Sequence, residues 1–165
     1  MDVFRHTKMS EKKKIWNSIY DTLWGSSEVP ENWMLSFILS NAIYIIYGII
    51  LLTRVTGGEY DNDRYLRAWL ILLVGFVSTM FHSNQVIHGH DDKRTSMFHF
   101  FDISTAILSF LFAIWLRGLD DIPVYIYYLI ALSLPFYLYN GPYYWLFHSI
   151  WHIISATILF SILNY

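Results

Sequence analysis

Five residues combine types and spacings that can do chemistry in an apolar setting: Ser78 and His82, Asp102, and the pair His148 and His152. In Ser78-Thr79-Met80-Phe81-His82 and in His148-Ser149-Ile150-Trp151-His152 the outer residues are four apart, so a helix stacks them one turn apart on one face. All five fall within or at the edge of long apolar stretches. An ionisable side chain in hydrocarbon costs about 2.5–3.5 kcal/mol on insertion scales, so residues that persist there are functional candidates. Three neutral imidazoles from His82, His148 and His152 suit zinc, and a three-histidine site leaves a fourth position open for water, as catalytic zinc sites do. Asp102 would orient a ligand or accept a proton from that water. A serine triad of Ser78, His82 and Asp102 is the competing catalytic reading, and it leaves His148 and His152 without a task. A purely structural cluster of hydrogen-bonded histidines and aspartate is the third.

The elements that must position these residues are membrane helices. The 165 residues are 55% hydrophobic and 19% aromatic, more than a water-soluble surface permits. A spanning helix needs about 20 mainly apolar residues. The stretches 33–53, 65–83, 97–116, 122–139 and 143–163 qualify or nearly do, which predicts an all-α, multi-pass integral membrane bundle of about five transmembrane helices. Polar breaks separate them: Gly57-Gly58-Glu59 through Arg64, His88 through Arg94, Arg117 through Asp121, and the tight Asn140-Gly141-Pro142 turn. Pro135 predicts a kink in the fourth helix, and Trp33, Trp69, Trp115, Tyr143, Tyr144 and Trp145 mark an aromatic belt.

This topology sets a common depth. Helix two ends with His82, helix three meets Asp102 early on leaving the same side, and helix five reaches His148 and His152 in its first turns. Three histidines and a carboxylate then share one leaflet, with Ser78 a turn deeper.

Residues 1–32 are polar and carry Arg5, Lys8, Lys12, Lys13 and Lys14, with no pattern of a cleaved signal peptide. Ile15, Trp16, Ile19, Tyr20, Leu23 and Trp24 recur at helical spacing opposite Lys12, Lys13, Asn17 and Asp21, which predicts an interfacial helix ahead of the bundle formed by 33–165. Counting Lys and Arg by side favours a cytoplasmic N-terminus. The net charge of -2 and the absence of a broad basic face argue against nucleic-acid binding, and the lack of cysteine excludes disulfides and thiolate chemistry. His88-Gly89-His90-Asp91-Asp92 has metal-binding residue types but reads as a solvated loop, and His99, one turn before Asp102, reads as an interfacial histidine with no task, with an outer partner of the metal ligands as the alternative.

Ser78 with His82, Asp102 at the start of the next helix, and His148 with His152 on the last, together with His-Ser-Ile-Trp-His-Ile-Ile-Ser-Ala at 148–156, resemble the CREST superfamily. That group holds alkaline ceramidases, adipoQ receptors, Per1 proteins and myomaker. The resemblance covers roughly residues 33–163, although family members typically have seven spanning helices. It implies a zinc ion on His82, His148 and His152 and a sphingolipid or phospholipid substrate, with an amide of the ceramide kind as one form. Glu28, Glu31 and Asn32 look faintly similar to the ceramidase calcium site, but their spacing to Ser40-Asn41 is shorter and calcium is not expected.

The leading expectation is therefore a zinc-dependent lipid hydrolase in which Asp102 takes a proton and Ser78 hydrogen-bonds the developing oxyanion. The alternative is a non-enzymatic membrane-remodelling or receptor-like protein with structural zinc. A homo-oligomer is compatible with either.

Overall fold

The computed structural model describes residues 29–53, 62–89 and 92–164. The expected interfacial helix, Glu28, His90 and Asp91 lie outside the described residues. Those described are helical throughout: α1 (Met34–Leu39), α2 (Ala42–Thr53), α3 (Asn62–His88), α4 (Lys93–Arg117), α5 (Val124–Leu138) and α6 (Tyr144–Leu163). Short 3-10 turns at Glu31–Trp33 and Leu119–Asp121 precede α1 and α5.

Among the described residues, four segments are long and apolar enough to cross a membrane: Glu31–Thr53, Asp63–His88, Lys93–Arg117 and Tyr144–Leu163. The first is one span broken in the middle at Ser40-Asn41. The expected fourth crossing, α5, has 15 residues. At 1.5 Å per residue it is about 22 Å long, short of a hydrocarbon layer of about 30 Å. Pro123 sets its start, Pro135 is carried inside the helix, and Tyr139 is already extended beyond its end.

Helices α3 and α4 run further than the polar residues near their ends suggest. Helix α3 continues to His88, with Asn84 Nδ2 donating to the Met80 carbonyl at 2.9 Å along the way. Asp92 accepts from the Arg94 backbone N–H at 2.7 Å and caps α4, which starts at Lys93. The far end of α4 stops at Gly118, whose φ of 86 is the left-handed conformation that glycine adopts without strain. The preceding Arg117 donates to the carbonyls of Ser161 and Ile162 at 2.7 and 3.3 Å, covering acceptors that the end of α6 leaves free. That contact places the C-terminal ends of α4 and α6 side by side. The two helices are therefore parallel, with α5 returning the chain between them.

The main core is built by α2, α3 and α6 around Tyr44, Ile71, Val74, Ala156 and Ile162. The α2–α3 crossing is close. A Cβ on Gly75 would stand 2.7 Å from the Tyr44 Cβ, and one on Gly48 would run into the Leu72 side chain. Small residues at a crossing let two backbones approach in this way where lipid supplies no hydrophobic drive. Large apolar side chains such as Trp69, Phe76, Leu108, Trp115 and Tyr128 point outward. Helices α4 and α5, although consecutive, pack against α3 and α6 respectively and scarcely against each other.

Candidate metal centre

The three sequence-predicted histidines come together. His82 from α3 and His148 and His152 from α6 are all buried, and one ring nitrogen from each lies within 4.8 Å of the others. This group could hold a metal ion. His82 sits six residues before the end of α3, and His148 and His152 lie four and eight residues into α6. By helical rise the three stand roughly 6–12 Å in from the helix ends on the same side.

The hydrogen bonds fix what the nitrogens can do. Ser40 Oγ donates its one proton to the Phe37 carbonyl at 2.6 Å, so its contact of 2.7 Å with His152 Nδ1 is one in which the ring nitrogen donates. Gln85 Oε1 is an acceptor and lies 3.0 Å from His82 Nδ1, which therefore also carries the proton. In the neutral rings both Nε2 atoms are then left as lone pairs, 3.1 Å apart. Two lone pairs facing at that distance repel unless a cation lies against both. Ligands of a tetrahedral ion at about 2.0–2.1 Å would be about 3.3 Å from each other, close to the separation found.

His148 completes the case. Both of its ring nitrogens are buried with no hydrogen-bond partner. Each unsatisfied buried polar group costs about 1–3 kcal/mol, and a metal bond removes that cost at one nitrogen. The ring is held by Tyr144, Trp151 and His152 at 4.9, 5.1 and 4.7 Å between centroids. Phe37, fully buried in α1, packs on all three histidines at 4.6, 6.0 and 6.3 Å. The donor set and these orphaned atoms fit an ion.

Asp102 and Ser78 are placed differently from the histidines. Asp102 is buried on α4 and is not part of the close histidine group. Ser78 hydrogen-bonds its carboxylate from α3. A cavity of about 390 Å³ has Asp102, His148 and Tyr137 among its polar lining and Ile107, Phe110 and Leu134 among its apolar lining. Of the three histidines His148 alone lines it, and Ser78 stands behind Asp102 rather than on the wall. The cavity lies where α4 and α5 part, and the half-exposed side chains of Ile107 and Leu134 flank that gap.

Ser78 hydrogen-bonds Asp102, while His82 Nδ1 is held by Gln85 and its Nε2 faces His152, so these bonds link Ser78 to the carboxylate and His82 to the histidine group rather than forming a serine triad. His99 is buried inside the bundle, stacked on Phe81 at 4.6 Å, and lies on the cavity wall. Tyr144, expected in an aromatic belt, is buried against Phe37, while Trp33 and Trp145 stack on each other at 4.4 Å. Ser40 and Gln85 carry no sequence signal of comparable strength; the clue to Ser40 is a polar Ser-Asn pair interrupting an apolar span.

No family model matches this chain, and neither the curated proteins nor the solved structures give a match.

Proposed function

We propose that the protein is a zinc-dependent hydrolase of an amide or ester bond in a membrane lipid. The observation that carries this reading is a buried three-histidine group that meets, through His148, a mainly apolar cavity with a carboxylate on its wall. Imidazole donors suit zinc over the hard cations, which take oxygen ligands. When bound, the ion supplies Lewis acidity that polarises a carbonyl and lowers the pKa of water.

The chain's own residues do the rest. Asp102, on the cavity wall, takes the proton as water attacks, and Ser78 holds its carboxylate by a hydrogen bond. Tyr137, whose ring lies 6.3 Å from that of His148, adds a hydroxyl to the cavity lining. Apolar side chains of α4 and α5 line the remainder and accept an acyl chain arriving sideways from the bilayer. The motif resemblance to CREST proteins is in keeping with a sphingolipid or phospholipid as substrate.

The test is lipid hydrolysis by reconstituted protein, across ceramides and glycerophospholipids, with metal content measured on each variant. Asp102→Asn is expected to keep the metal and lose about 10²–10⁴ in rate. Ser78→Ala is expected to be milder, since it loosens Asp102 without removing it. Equal turnover by wild type and Asp102→Asn refutes the mechanism. Turnover of no lipid by a zinc-loaded wild type moves the assignment to a scaffold with structural zinc.

A further inference from the structure

The break in the first span sits beside the metal centre, and its chemistry is unusual for a membrane helix. At Ser40-Asn41 the regular ladder lapses into a turn, with the Asn41 backbone N–H on the Ile38 carbonyl at 3.2 Å and the Tyr44 N–H on the Asn41 carbonyl at 3.1 Å. Carbonyls loosened in hydrocarbon must find donors within the protein. The Ser40 hydroxyl takes the Phe37 carbonyl, and Asn41 Nδ2 takes that of Ile38 at 3.3 Å. Ser40 could satisfy the backbone from many places along the helix. Here it does so while its oxygen also meets His152 Nδ1 across 112 residues of sequence.

We propose that Ser40 is a positioning residue for the metal centre, fixing His152 as the Nδ1–H tautomer so that Nε2 faces His82 and the ion. Because the Ser40 proton is committed to Phe37, the oxygen can only accept from the ring. A free imidazole divides between two tautomers and can rotate, whereas this one is held in a single state by a hydrogen bond at its far nitrogen. Gln85 does the same for His82. Each of these two ligands therefore has its own orienting partner, one from the broken first span and one from a turn along α3. The inference rests on the metal-binding reading of the three histidines and does not depend on lipid hydrolysis.

The experiment compares zinc affinity, by chelator competition, in purified wild type, Ser40→Ala and Ser40→Thr. Ser40→Ala is expected to lose about 10–100-fold in affinity, the usual effect of removing an outer partner of a ligand. Ser40→Thr keeps the oxygen and is expected to restore most of it. Cobalt-substituted protein supplies a second readout, because its visible spectrum reports ligand geometry and a change confined to packing would leave it unmoved. If Ser40→Ala does not fold, nitrogen NMR of histidine-labelled wild type decides: a protonated Nδ1 and a metal-bound Nε2 on His152 are expected, and the reverse overturns the inference. Ser40→Ala with wild-type affinity and cobalt spectrum overturns it alone. A wild type that takes up no ion overturns the metal reading, and this inference with it.

Discussion

His148 offers a direct way to tell a metal ligand from a packed aromatic ring. Its two nitrogens are buried without partners, so without an ion the side chain is a liability. His148→Leu is expected to abolish stoichiometric metal uptake while leaving the chelator-treated protein as stable as chelator-treated wild type, or more stable by about 1–3 kcal/mol. Thermal melting with and without chelator, beside elemental analysis, checks both halves. A variant that keeps its metal would remove His148 from the ligand set. Acid supplies an independent check, since protons and metal ions compete for the same lone pairs. Metal retention is expected to fall once acid protonates the imidazoles, and retention unchanged in strong acid would point away from histidine donors.

At the scale of elements, the α2–α3 crossing is close, and Gly75 lies about one turn of α3 from Ser78. Gly75→Leu would drive a side chain into Tyr44, whose hydroxyl bonds Ser155 at 2.7 Å and ties α2 to α6. Overpacking of this kind costs about 1–3 kcal/mol, and a lower melting temperature with reduced metal uptake is the expected result. The sequence makes much of this arrangement readable. His82, Asp102, His148 and His152 stand out because ionisable residues are costly in hydrocarbon, and their common depth follows from helix order. Ser40 does not stand out, since a serine is cheap in an apolar span and its contact with His152 depends on how two remote helices pack. Gln85 falls beyond the end of the helix that hydropathy suggests, because α3 continues through the polar residues Ser83, Asn84 and Gln85 to His88. The shortness of α5 follows from Pro123 and the extended Tyr139, which composition alone does not weigh.

For the molecule as a whole, the parallel course of α4 and α6 puts their N-terminal ends, at Lys93 and Tyr144, at one end of the bundle. The chain has no cysteine, so single cysteines introduced at Asn84, Asn140 and Asp120 give a clean accessibility map. The first two are expected to label from the same side and the third from the opposite one; labelling of Asn84 and Asn140 from opposite sides would break the common depth of the site. The gap between α4 and α5 makes a further prediction. Under the proposed hydrolase function, Ile107→Trp combined with Leu134→Trp should narrow it, slowing turnover of long-chain lipids while metal content stays at the wild-type level. Undiminished turnover would mean that substrate enters elsewhere. A ligand that comes through such a gap is drawn from a two-dimensional fluid, so the concentration that governs its occupancy is its mole fraction among the surrounding lipids. Added carrier lipid or empty detergent micelles should then lower the rate at constant total substrate, and shaking or dilution of the aqueous phase should leave it unchanged.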